Sequence, residues 1–401
     1  MTLPLIIYRS LRQHALSTLI TAGSIALACG LLMTVWMVKT QAQAAFVSTS
    51  TAFDAVLGAR GSKLQLVLNG IFHLEASPGN LAWSDYESIR KHPAVKTAIP
   101  IAVGDNLRGY RIVGTVPELF TTVEYAPGKK YTLSGSGKIF ADASREAVAG
   151  SFAAERLGLK VGDTFNPFHG LAFDEKNQHA ETYTVTGILA PTNTPADKVV
   201  WIPIKGVQTM SGHDPKAATD VSAVLIQLRA ATAGFMLDMM INKQGNRMTL
   251  AYPVGAIMTE LFGKISWFDR VLALVAYLVA LVAAGSVLAS IYNSMSARQR
   301  DLAILRALGA RRRTIFGAVV AEAACIGALG AAAGFVIYFA LMAGVAEVIR
   351  VQTGVVLNVM SGHAVLWVCP LAMTALCALG GAVPALKAYR TPVAETLAPV
   401  S

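Results

Sequence analysis

The chain has 401 residues, 54% of them hydrophobic and only 14% charged, with a mean hydropathy of +0.51. That is too apolar for an ordinary soluble protein and places the chain in the membrane class. Its net charge of +10 would suit a nucleic-acid binder, but the distribution of that charge excludes one. Residues 2 to 14, TLPLIIYRSLRQH, join an apolar first half to two arginines and predict a short helix along the inner leaflet. Leu16 to Val38 is the first of four apolar runs, followed by Val271 to Tyr292, Ile315 to Ala346 and Ala364 to Leu386. Each meets or exceeds the ~20 residues needed to cross ~30 Å of hydrocarbon. Arg9 and Arg12 before the first run, with Ala42-Gln43-Ala44 after it, imitate a secretory signal peptide, but the run is longer than a usual signal core and reads as an uncleaved anchor.

The expected fold is an α-helical membrane protein with four transmembrane helices and a large α+β extracytoplasmic domain between the first and second. The expected organisation is an interfacial helix at 1–14, spans at 15–39, 267–293, 315–346 and 364–386, and the external domain at 40–266. A coupling loop at 294–314, an external loop at 347–363 and a tail at 387–401 complete it. Within the domain, Tyr110 to Val116, Glu181 to Leu189, Val199 to Pro203 and Val221 to Leu228 are rich in β-branched and aromatic residues and predict strands. Ser84 to His92 and Ser151 to Leu157 predict helices, the second capped by Ser151 and ended by Gly158. Asn166 to Ala180 and Thr192 to Asp197 read as loops. Ile257, Leu261, Ile265 and Phe268 lie on one helical face upstream of the second span, with no proline from Val254 to Asn293. A helix of that length is about 60 Å long at 1.5 Å per residue and predicts a stalk.

Ten basic residues (Arg9, Arg12, Arg298, Arg300, Arg306, Arg311, Arg312, Arg313, Lys387, Arg390) face two acids (Asp301, Glu395) in the two terminal segments and the 293 to 314 loop. The positive-inside rule makes that side cytoplasmic. From Thr40 to Ser266 there are 21 basic and 19 acidic residues, so the external domain has no electrostatic footprint for nucleic acid. Cys29, Cys325, Cys369 and Cys377 all fall in the spans, which leaves the domain without a disulfide framework.

The loop between the second and third spans carries the most informative stretch, RQRDLAILRALG. Leu302, Leu305 and Leu308 recur every third residue beside Ile304, Arg298 and Asp301 form an i,i+3 pair, and Gly309 can supply a left-handed cap. It reads either as a solvated connector or as a handle by which another protein moves the membrane domain. In the third span Gly327, Gly330 and Gly334 allow close helix approach, the last two in GxxxG spacing. Glu322, about two turns inside that span, is costly in hydrocarbon and reads as an interhelical hydrogen bond, a transmission element, or a substrate or proton site.

Chemistry is otherwise sparse. SGSGKI, Ser134 to Ile139, departs from the phosphate-loop pattern at Thr132 and Ile139 and reads as a turn. His73, His92, His169, His179 and His213 lie in the external domain. His169 and His179 flank a loop with Asp174, Glu175 and Glu181, donors a metal would accept, but their spacing matches no compact zinc motif. No metal centre is expected, and these two histidines are the nearest the sequence comes to one. No catalytic grouping rises above background, so the chain does not read as an enzyme.

Layout and motifs together resemble the MacB/FtsX family of ABC transporter permeases, the type VII or mechanotransmission class. The resemblance is carried by RQRDLAILRALGARRRTIFGAVVAEAACIGALGAAAGF (Arg298 to Phe335) and PALKAYRTPVAETL (Pro384 to Leu397). AVAGSFAAERLGLKVGDTF (Ala147 to Phe165) and YRIVGTVPELF (Tyr110 to Phe120) look like the MacB-type periplasmic core. It implies a permease of the bacterial inner membrane that works as a homo- or heterodimer, each copy docked through Arg298, Arg300, Asp301, Leu302, Leu305, Arg306, Leu308 and Gly309 on a separate cytoplasmic ATPase. ATP and Mg would be bound by that ATPase, because the chain departs from MacB in lacking a fused nucleotide-binding domain, and no cofactor is expected in the chain itself. Membrane lipid surrounds the spans, and a periplasmic adaptor, substrate-binding protein or hydrolase is a further expected partner. The implied function is export or extraction of a lipoprotein, peptide, hydrophobic toxin or metal complex. The alternative is mechanosignalling to an external enzyme such as a cell-wall hydrolase.

Overall fold

The computed structural model describes residues 3–13, 15–49, 52–212, 219–297, 304 and 309–390. The chain divides into two units, one made of residues 1–41, 266–346 and 358–401 and the other of residues 42–265 and 347–357. Its helices are α1 (Leu3–Gln13), α2 (Ala15–Thr49), α3 (Lys63–Gly70), α4 (Trp83–Arg90), α5 (Glu118–Thr122), α6 (Ser151–Leu157), α7 (Ile204–Gln208), α8 (Ala231–Asp238), α9 (Val254–Ala297), α10 (Arg312–Thr353) and α11 (Val365–Arg390). Four of them, α2, α9, α10 and α11, are long and apolar enough to cross a membrane. They continue beyond the apolar runs, since α2 extends to Thr49 and α10 occupies 347–353, where the sequence predicts a loop.

Within the membrane unit, α9 buries Ala276, Ala280, Ala283, Val287 and Ile291, a single helical face of mostly small residues. Leu274, Tyr277, Leu278, Leu281 and Val282 on its other faces are exposed, as side chains meeting lipid should be.

The external unit is built on a ten-stranded mixed sheet. Its strands are β1 (Ala55–Ala59), β2 (Val95–Leu107), β3 (Tyr110–Thr115), β4 (Glu146–Ala149), β5 (Thr164–Phe165), β6 (Phe168–His169), β7 (Tyr183–Ile188), β8 (Val200–Pro203), β9 (Ala223–Leu228) and β10 (Met248–Ala251). They lie in the order β10-β1-β9-β2-β3-β8-β4-β7-β5, with β6 paired to β2. Side chains alternate between two cores, Ala55, Leu57, Val224 and Ile226 on one face and Val56, Ala223 and Leu225 on the other. Tyr86 and Ile89 of α4, Ala153 of α6 and Ile204 of α7 close the first face. Leu66 and Val67 of α3 and Val254 and Met258 of α9 close the second. A sheet covered on both sides needs apolar residues at consecutive positions, which is why these strands read as continuous hydrophobic runs.

Helix α6 has the bounds its sequence predicts, with Gly158 in the left-handed conformation at φ 69°. The residue before it differs from expectation. Gly150, not Ser151, is the cap, and a Cβ there would lie 2.3 Å from the Asp197 carbonyl oxygen. Ser151 instead places its side chain near the Asp197 carboxylate, whose own hydrogen bonds come from Thr192 and Asn193. The SGSGKI segment runs alongside β7, with Ser134 N–H donating to Ile188 O (2.7 Å) and Lys138 N–H to Thr186 O (2.9 Å). Lys138 Nζ is engaged by Glu146 at 2.6 Å.

Candidate functional site

Of the charged stretch in the coupling loop, Arg298, Arg300, Asp301, Leu302, Leu305, Arg306 and Leu308 lie outside the described residues. Ile304 is helical and exposed, and Gly309 has φ 99°, a conformation that glycine adopts without a Cβ penalty.

The glycines of α10 sit where helices meet. A Cβ on Gly330 would lie 2.6 Å from Ile25 Cβ and 2.8 Å from Ala22 O, and one on Gly334 would lie 3.0 Å from Cys29 Cβ. Across that contact Gly30 faces Gly334 O at 2.8 Å from its own ideal Cβ position. Ala22, Ala26 and Gly30 of α2 thus form a second small-residue ridge, at four-residue spacing, that the sequence reading missed amid other small residues. Gly327 serves a different contact, against Thr374 and Cys377 of α11. Glu322 accepts a hydrogen bond from the Ser10 hydroxyl of α1, and Ser10 is buried.

A second group of side chains converges in the external unit. Asp105 lies near the end of β2 and is wholly buried, His179 is nearly so, and His169 is exposed at the end of β6. The pairing of β2 with β3 shifts register between Val103 and Asp105, and such a bulge re-aims the side chains that follow it. Asp105 is then opposite His169 in the β2–β6 ladder. His179 Nε2 is 3.1 Å and His169 Nδ1 3.5 Å from Asp105 Oδ1. His179 Nδ1 is 2.7 Å from the Ser211 carbonyl oxygen, so that nitrogen carries the proton and donates.

The surrounding loops are braced. Asn106 Nδ2 reaches the carbonyl oxygens of Phe168, Gly170 and Ala172, and Asn166 Nδ2 those of His179, Ala180 and Glu181. Glu181 accepts from Ser211 N–H (3.0 Å) and Ser211 Oγ (2.9 Å). Burial works to raise the Glu181 pKa, but the hydrogen bonds from Ser211 and the nearby His179 hold it below the usual carboxylate value. The acids that the sequence offers as donors therefore stand elsewhere: Glu181 positions the Ser211 turn, and Asp174 caps the turn at 175–177 through Lys176 N–H. Glu175, in that turn, is exposed. His213 lies outside the described residues. Asp105 went unread because it is 74 residues from His179, at the end of a strand punctuated by Pro100 and Gly104.

Comparison with known proteins matches residues 18–234 to the MacB-like periplasmic core domain and residues 273–393 to the FtsX-like permease C-terminal family. Curated protein sequences give no match. Among solved structures, the periplasmic region of MacB from Actinobacillus actinomycetemcomitans is similar at 11% identity and TM-score 0.35, over 52% of this chain and 94% of that one. The extracellular domain of the noncanonic ABC-type transporter YknZ from Gram-positive bacteria is similar at 16% identity and TM-score 0.30, over 49% and 97%. With four membrane-spanning helices, a large extracytoplasmic α+β domain between the first two, and both family matches in register with that layout, the chain belongs to the MacB/FtsX-type family of ABC transporter permeases.

Proposed function

We infer that this chain is the permease subunit through which a separate cytoplasmic ATPase moves an external domain, for export or extraction of a periplasmic or membrane substrate. The observation that supports it most is the unbroken length of two helices. Helix α9 has 44 residues and α10 has 42, about 65 Å each at 1.5 Å per residue and twice the hydrocarbon thickness. A displacement at one end of such a helix is carried to the other by its own hydrogen-bond ladder. The last turns of α10 are anchored on α6, where Glu347 pairs with Arg156 and Arg350 with Glu155 (3.1 Å). The Arg350 guanidinium also lies 4.8 Å from the centroid of the Phe152 ring.

In this reading both termini and the 293 to 314 loop are cytoplasmic, the working unit holds two permease copies, and the substrate is a lipoprotein, peptide, hydrophobic toxin or metal complex. The test is purification of the full chain from its own membrane, with mass spectrometry of what accompanies it. The expected result is an ABC ATPase whose ATP hydrolysis responds to the permease. A chain that arrives with no ATPase, or with one whose hydrolysis is indifferent to it, overturns the reading. A cell-wall hydrolase as the further companion would turn it from transport to signalling.

A further inference from the structure

We propose that the external unit binds one divalent transition-metal ion of the zinc class between Asp105, His169 and His179. The donor atoms of the three side chains all lie within 4.8 Å of one another. Zinc bonds of about 2.0–2.1 Å in a tetrahedron place neighbouring donors roughly 3.3–3.4 Å apart. The two distances to Asp105 Oδ1, 3.1 Å from His179 Nε2 and 3.5 Å from His169 Nδ1, fall within a few tenths of an ångström of that spacing. The remaining edge, between the two histidines, is no longer than 4.8 Å, and the His169 side chain is half-exposed.

Ser211 decides how His179 presents itself. Its carbonyl oxygen can only accept, so His179 donates from Nδ1, and in the neutral imidazole Nε2 is left with a lone pair aimed at a carboxylate oxygen 3.1 Å away. Nε2 and the carboxylate can be joined there by a proton on the imidazole or, in its place, by a cation that both atoms hold. A metal ion is such a cation, and a backbone carbonyl fixing the far nitrogen of a ligating histidine is the usual outer support of such sites. Glu181 in turn fixes Ser211 with two hydrogen bonds, so the support is itself supported.

The donor set selects the ion. Two imidazole nitrogens and one carboxylate oxygen suit zinc and its first-row neighbours, whereas calcium and magnesium prefer oxygen alone. The external domain has no cysteine to favour a softer ion. Three protein ligands leave a position for water or an incoming ligand. His169 borders an open cleft of about 270 Å³, also lined by Gly104, Gly212 and Asp220. The site does not depend on the transport reading and stands or falls apart from it.

The test uses the full chain in detergent, purified on an affinity tag without histidine, stripped with a chelator and titrated with Zn²⁺ alone against a chromophoric competitor. Wild type should bind one zinc per chain, and Co²⁺ in its place should show the visible absorption of a four-coordinate nitrogen and oxygen site. His169→Ala changes an exposed residue and should fold normally, yet weaken zinc by about 100-fold or more, at or beyond the upper end of what loss of an outer support costs. Glu181→Gln should weaken it by roughly 10-fold through Ser211, while His92→Ala should change nothing. If Asp105→Asn fails to fold, His169→Ala still decides. Zinc binding that is absent from wild type, or equal in wild type and His169→Ala, overturns the proposal and leaves a histidine–carboxylate ion pair in its place.

Discussion

Ser10 and Glu322, 312 residues apart, are joined by a hydrogen bond from the serine hydroxyl to the glutamate carboxylate. The contact ties α1 to the third span, and it gives the carboxylate a protein donor. Replacing Glu322 by Gln keeps an acceptor of the same shape and should cost little. Glu322→Leu removes the acceptor and should lower stability by about 1–3 kcal/mol, the range for losing a buried partner of a charged group. Thermal unfolding of both variants in detergent checks this, and equal melting temperatures would remove the structural role from this pair.

The α2–α10 contact makes a steric prediction with its own control. Gly330→Ala places a Cβ 2.6 Å from Ile25 Cβ and close to a backbone oxygen, so the helices must separate, at about 1–3 kcal/mol. Gly344→Ala on the same helix meets nothing within 4 Å and should be neutral or slightly stabilising. If the two substitutions shift the melting temperature alike, the close approach of α2 and α10 is wrong.

Leu305 belongs to the apolar stripe of the coupling loop read from sequence periodicity. Leu305→Asp puts an unpaired charge into the proposed ATPase contact and should weaken it by several kcal/mol, about 3–5. The variant should reach the membrane at wild-type levels, because its apolar spans are unchanged. ATP hydrolysis by the reconstituted complex is the readout: equal coupling in wild type and variant would make this segment a solvated connector.

His73 provides a pH prediction in the external unit. Burial, with Arg111 nearby adding to it, pushes its pKa down to about 3, and its ring stands edge-on to Trp201 at 5.4 Å. The unfolded chain takes up this proton near pH 6.5 and the folded chain does so near 3, so stability falls as pH drops between those values. The slope is at most about 1.4 kcal/mol per pH unit, a ceiling because part of the residue still reaches solvent. His73→Asn removes the titration while tolerating the native φ of 55°. Between pH 7 and pH 5 the wild type should therefore lose up to about 2 kcal/mol more than the variant. Parallel melting curves across that interval would contradict the assignment.

The spans were legible because bilayer thickness sets a length that composition alone reveals. Strands such as Tyr110–Thr115 and Val200–Pro203 were legible because β-branched residues are bounded by turn formers. The longest strand was not. Pro100 and Gly104 interrupt Val95–Leu107, and both are ordinarily read as strand breakers. Ala55–Ala59, Glu146–Ala149 and Met248–Ala251 were hidden for another reason, since they are short and carry alanine or glycine where propensity looks for valine. The metal candidate was half legible. Its histidines stood in one loop, but the carboxylate that joins them comes from a distant strand, and pairing between strands is a property of the whole sheet.

The placement of β1 bears on how the protein is made. Its two neighbours, β9 and β10, both come late in the chain, with Val56 opposite Leu225 on one side and Ala251 on the other. Asp54, just before it, accepts a hydrogen bond from Leu228 N–H, 174 residues later. At about 5–20 residues per second, a growing chain exposes both edges of this strand for roughly 10–35 s before either neighbour exists. The first segment of the domain to cross the membrane is therefore the last to be secured, and its bare edges are what a chaperone on the far side would have to shield.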